Sequence, residues 1–215
     1  MNEEILELEC PHCHAAQRVS VPTTVHKLDD PDAYRRILDG TLFEYTCPHC
    51  GGKMHVTFGV MFHDPEKKIL CFYCPDPNQV KEVMGMFEEK PAGYTVRITE
   101  DEGRFLEKIR AFEQGYDDKA LEMWKLTYLY RIVSHHEDFE ADDALYGYRD
   151  GAHKIDFYKE GRYIGSVDAD PALIPGVKER FLSRDTGVVQ DDLFVDIGWA
   201  MEHLTNLLHR PDSAS

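Results

Sequence analysis

Cys10-Pro11-His12-Cys13 recurs downstream as Cys47-Pro48-His49-Cys50-Gly51-Gly52, and the reading of these two turns decides the fold of the N-terminal part. Each follows a strand-like run, Ile5-Leu6-Glu7-Leu8 and Leu42-Phe43-Glu44-Tyr45. A turn just after a strand points two thiolates toward one ion, proline restricts the backbone, and Gly51 can take the positive φ that closes the turn. Two such turns supply four sulfurs, the set that satisfies tetrahedral zinc at about 2.3 Å per bond. The 33 residues from His14 to Thr46 are enough chain to bring the second turn back to the first. The sequence therefore predicts one structural Zn2+ held by Cys10, Cys13, Cys47 and Cys50, with no coordination position left for a substrate. A redox dithiol is the competing reading, but that motif normally opens a helix and is not repeated with the same Pro-His filling. His12 and His49 lie between the cysteines of their turns and are expected to face solvent.

A third pair, Cys71 and Cys74, sits in Lys68-Ile69-Leu70-Cys71-Phe72-Tyr73-Cys74, an apolar run without a turn residue. It reads as a buried strand, in which positions i and i+3 point to opposite faces and cannot easily share a metal. These two cysteines are expected to pack as small core residues.

Working outward, strand-like runs at 3–9 and 15–22 flank the first turn and runs at 42–47 and 53–62 flank the second, so each turn tops a hairpin. Between them, Asp30 to Gly40 has an acidic N-cap, proline at the first helical position and glycine at the end, which predicts a short helix. The strand at 68–74, a helical pattern over 78–89 and alternation over 94–99 predict a β-α-β segment. Thr99-Glu100-Asp101-Glu102 reads as a capping box for an amphipathic helix with Phe105, Ile109 and Phe112 on one face, ending near Gly115. Asp117 and Asp118 cap a second helix with Leu121, Trp124, Tyr128 and Ile132 aligned, and the two are expected to form a helical hairpin. Asp150-Gly151 and Glu160-Gly161 between alternating runs predict a small antiparallel meander. A last helix is expected over 195–209, before a frayed tail at 210–215. The fold class is α+β: a zinc-ribbon-like β domain over 1–99, then an α+β region over 100–215 with helical hairpin, meander and terminal helix.

The two Cys-Pro-x-Cys turns, the segment Leu38-Asp39-Gly40-Thr41-Leu42-Phe43 and the segment Met61-Phe62-His63-Asp64-Pro65-Glu66-Lys67 together resemble the bacterial CpXC domain family. The resemblance spans roughly residues 5–135, because Leu106 to Asp118 also looks like the segment that follows that family's zinc-binding part. It implies a zinc binder with Cys10, Cys13, Cys47 and Cys50 as ligands. It implies no activity, and Cys71 and Cys74 have no counterpart in the family motif.

Charge narrows the function classes. Forty acidic against 24 basic side chains give a formal net charge of -16, which repels a phosphate backbone. Residues 1–75 alone carry 11 acidic and seven basic side chains. Four thiolates on a dication deepen that imbalance, so a nucleic-acid-associated zinc-ribbon regulator is disfavoured. No apolar run approaches a membrane span, and the N-terminus is acidic where a signal peptide is basic, so a cytoplasmic protein without membrane contact is expected. The linear signatures of common enzymes are absent. Two sites for hydrolase-like chemistry are His63-Asp64, as a general-base pair, and the loop from His135-His136 to Asp143, as a cation or base site; a turn and a solvated charge run are the expected structures there. The favoured role is a protein-interaction module, with the zinc ribbon as a rigid platform for a protein partner.

Overall fold

The computed structural model describes residues 3–87, 91–135, 139–149, 151–183 and 193–209. The chain divides into two compact units, Met1–Ile109 and Arg110–Ser215.

In the first unit, β1 (Glu3–Glu9) pairs antiparallel with β2 (Ala16–Pro22), from Glu3↔Pro22 to Glu9↔Ala16, leaving residues 10–15 as the connecting loop. Along β2 the side chains alternate, with Gln17, Val19 and Val21 buried and Arg18 and Ser20 exposed. A short strand that the sequence pattern does not announce, β3 (Thr24–His26), follows, and then α1 (Pro31–Asp39). Gly40 ends that helix in the left-handed region at φ 75°, as its sequence predicts. The Asp30 carboxylate, however, does not cap α1; it accepts the backbone N–H of His26 at 3.1 Å.

β4 (Glu44–Thr46) and β5 (Lys53–His55) make the second hairpin. The run expected as one strand over 53–62 is broken, because β5 ends at His55 and β6 (Val60–Asp64) joins another sheet. Gly59 marks the break: a Cβ there would stand 2.8 Å from the Gln79 side chain. β7 (Ile69–Tyr73), α2 (Pro77–Met86) and β8 (Thr95–Thr99) form the expected β-α-β segment, with β7 and β8 parallel. Asp76 closes a capping box on α2; Glu88 and Glu89, expected in that helix, lie outside the described residues. The four-stranded sheet has the order β3-β6-β7-β8. Its core centres on Phe43, whose ring lies 4.9 Å from Phe58, 5.3 Å from Tyr73 and 6.4 Å from Phe105, centroid to centroid.

Phe105 belongs to α3 (Glu102–Glu113), within which the division between the units falls. The cap of α3 is Asp101, which accepts the Arg104 N–H at 2.9 Å. Thr99, the expected cap, is the last residue of β8 and its hydroxyl donates to the Phe72 carbonyl at 3.1 Å. The strand claims the threonine, so the helix starts later.

In the second unit, α4 (Asp118–His135) is capped by Asp117, which accepts from the N–H groups of Lys119 and Ala120. The sequence pattern makes α4 amphipathic, but it is buried all round from Ala120 to Leu126. That stretch includes Glu122 and Lys125, whose side chains pair at 2.8 Å. The meander is present as β9 (Asp143–Arg149), β10 (Ala152–Lys159) and β11 (Arg162–Asp168), in the order β11-β10-β9. Glu160 and Gly161, both at positive φ, make the second turn; of the first, Gly151 is at φ 78° and Asp150 lies outside the described residues. A helix not anticipated from sequence, α5 (Ile174–Leu182), follows a 3-10 turn at Pro171–Leu173. Its signals were present: Asp170 before Pro171, Pro175 in the first turn, and Ile174, Val177 and Phe181 at helical spacing. The expected terminal helix is α6 (Ile197–Leu208), capped by Asp196; the tail at 210–215 lies outside the described residues. Trp124, Tyr146, Ile155, Phe157, Ile174, Ile197 and Trp199 share one core. No helix among the described residues is long and apolar enough to cross a membrane.

Candidate metal centre

The two cysteine turns share one backbone plan. In the first, the His14 N–H donates to the Cys10 carbonyl at 2.9 Å, and in the second the Gly51 N–H donates to the Cys47 carbonyl at 2.9 Å. Both turns close through a left-handed residue four positions after the first cysteine, His14 at φ 58° and Gly51 at φ 71°. Only the second has the glycine for which that region is strain-free. Each first cysteine is buried and each second one exposed, so the sulfurs lie at the edge of the unit.

The fold brings the two turns together. The Sγ atoms of Cys10, Cys13, Cys47 and Cys50 all lie within 4.8 Å of one another, with Cys10–Cys50 and Cys13–Cys47 each at 3.8 Å. The His12 N–H pointing at Cys10 Sγ pulls that thiol down to about 6. Cys13 accepts from Ala15, yet desolvation and the neighbouring sulfurs push it up to about 12. Four thiolates this close repel one another, and a cation among them removes that opposition. The cluster is compatible with a metal site.

Two groups outside the cysteines set this geometry. His12 is exposed, as its position predicts, and from there its Nε2 lies 2.8 Å from the Lys53 carbonyl across the two turns. Gly52 makes room for that ring, since a Cβ there would stand 2.7 Å from His12 and 3.3 Å from Cys50 Sγ. Arg36, on α1, donates to the carbonyls of Thr41, Leu42 and Glu44 at 2.8 to 3.3 Å and lies 5.0 Å over the Tyr45 ring, ordering the chain that enters the second turn. His49 is exposed, as expected.

A family model described as CpXC protein matches residues 8–125, more than half of the chain. The chain belongs to the CpXC family. No curated protein and no solved structure matches it. The CpXC match takes in all four clustered cysteines and ends within α4 at Lys125.

The other sequence candidates of this CpXC protein do not converge. Cys71 and Cys74 are buried in and just after β7, apart from the cluster, and burial with the nearby Glu100 pushes the Cys74 thiol up to about 11. His63 and Asp64 are no base pair, because successive residues of β6 face opposite sides. Asp64 accepts from Lys27 Nζ at 2.9 Å and from the N–H groups of Glu66 and Lys67, whereas His63 faces His26 and Tyr94. Desolvation, with His26 adding to it, lowers the His63 pKa. His135 is exposed at the end of α4 and borders a surface cavity of about 480 Å³ with Arg131, Ile132 and Phe157. His136, Glu137 and Asp138 lie outside the described residues. Asp142 accepts the Glu160 N–H, and Glu140 and Asp142 both face Lys159 at 3.8 and 3.7 Å, so these acids serve the meander.

Proposed function

We propose that this CpXC protein binds one structural Zn2+ through Cys10, Cys13, Cys47 and Cys50, and that the two clamped hairpins are a rigid platform for a protein partner in the cytosol. The observation that carries the metal is the pair of 3.8 Å sulfur separations. Four sulfurs about 2.3 Å from a central ion occupy a tetrahedron whose edges are about 3.8 Å. Soft thiolates favour zinc over hard cations, and four of them leave no position for water or substrate, so the ion stabilises structure. A reduced set of thiolates requires a reducing compartment, which supports the cytosol. The platform follows from exposure: residues 11–14 and 48–51 face solvent, on a frame that the metal makes stiff.

Metal analysis of protein purified without chelator, beside the Cys10→Ser/Cys47→Ser variant, tests the site. One equivalent of zinc in the parent and none in the variant is expected; zinc retained by the variant overturns the assignment. Affinity capture from native cell extract, with and without prior chelation, tests the platform. A defined partner lost on chelation is expected, whereas turnover in a substrate screen without any partner reverses the reading.

A further inference from the structure

β3 and β6 run parallel with His26 directly opposite His63, and the two imidazoles meet Nδ1 to Nδ1 at 3.1 Å with their planes 75° apart. The other nitrogen of His63, Nε2, lies 3.1 Å from the Tyr94 hydroxyl. All three side chains are half-buried, so water reaches the group. Neighbouring charges are directed elsewhere. Lys27 and Asp64, the next residues on each strand, pair with one another at 2.9 Å, and the Asp30 carboxylate is occupied by the His26 backbone N–H.

We propose that His26 and His63 form a second metal site, distinct from the cysteine cluster, that takes a divalent late first-row transition ion through the two Nδ1 atoms. Imidazole nitrogens bound at about 2.0–2.1 Å and subtending about 90° to 110° stand about 2.8–3.4 Å apart, and the observed 3.1 Å lies in that interval. The strand register already holds the two residues opposite, so only ring rotation about the soft χ2 torsions is needed to converge both lone pairs on one ion. The ring that donates through Nδ1 shifts its proton to Nε2 as the ion binds. For His63 that Nε2–H then donates to the Tyr94 oxygen, the outer partner that orients a metal-bound histidine. Two nitrogens leave the remaining positions to water, so this site exchanges its ion where the four sulfurs retain theirs. Neutral imidazole favours Cu2+ and Ni2+ and neglects Mg2+ and Ca2+, and Tyr94 is a positioning residue.

The test uses the full chain already loaded with one equivalent of zinc, titrated with Ni2+ by calorimetry. One additional saturable site is expected. His63→Ala and His26→Ala should each weaken it at least tenfold, Tyr94→Phe should weaken it by about tenfold, and a control at the exposed His209, His209→Ala, should leave it unchanged. Should His63→Ala fold poorly by circular dichroism, His26→Ala at the sheet edge decides. No saturable Ni2+ binding below millimolar concentration, or binding indifferent to both single variants, overturns the site. Because zinc content is measured first, this result is independent of the cysteine assignment.

Discussion

His12 Nε2 and the Lys53 carbonyl, 2.8 Å apart, tie one cysteine turn to the other without any metal. The bond depends on Gly52, whose missing Cβ leaves room for the ring. Gly52→Ala is therefore expected to displace His12 and cost about 1 kcal/mol, as His12→Ala does, with the double variant little worse than either single one. Gly51→Ala, in open space at φ 71°, should cost about 1 kcal/mol by backbone strain alone and add to His12→Ala. Thermal melts of the metal-loaded series, both double variants included, measure all five.

Arg36 serves three carbonyls at once, and a lysine in its place has neither the planar fork nor the reach to do so. Arg36→Lys is expected to destabilise the first unit by roughly 1–3 kcal/mol, since partly buried carbonyls lose their donors. A competition titration with a zinc chelator should show weaker retention than in the parent. Equal stability and equal zinc retention would remove Arg36 from the set that positions the second turn.

Cys71 and Cys74 should react slowly with thiol reagents while the protein is folded, because both are buried and the Cys74 thiolate is scarce with its pKa pushed up to about 11. The linkage has a definite sign. Between about 9 and 11 the unfolded thiol is ionised and the folded one is not, so the native state binds more protons and stability falls as pH rises through that window. Tyr73, pushed up to about 12 by burial, acts in the same direction. Denaturant midpoints at pH 8 and 10.5 should differ more for the parent than for Cys74→Ala.

With a net charge of -16, no binding to duplex DNA or structured RNA is expected at physiological salt. Fluorescence polarisation would reveal the opposite as salt-sensitive binding below the micromolar range.

Local chemistry was legible in the sequence; long-range register was not. Proline and glycine bracket α1, Asp117 caps α4, and the duplicated turns announce the sulfur cluster, because each signal acts within a few residues. The pairing of His26 with His63 required knowing that a three-residue strand lies parallel to β6, and three residues carry no periodicity. His12 faces solvent as expected, but its bond to Lys53 is illegible in sequence because the partner is a backbone carbonyl, an atom every residue possesses. The capping box that the sequence places at Thr99 is not formed, because β8 takes that hydroxyl and Asp101 caps the helix instead. In α4 the buried Glu122 and Lys125 give the helix a polar face in sequence that it does not present in space.

The separation of the sulfurs along the chain also sets a timetable. Cys13 and Cys47, neighbours at 3.8 Å, are 34 residues apart in sequence. At a synthesis rate of about 5–20 residues per second, the first turn waits about 2 to 7 s for the second to be made. During that interval it is a bare dithiol topping a lone hairpin, open to oxidation and to capture by any passing soft metal. The nascent chain is thus most vulnerable before its cluster can close, and a brief rise in oxidant would injure newly made copies while leaving finished ones intact.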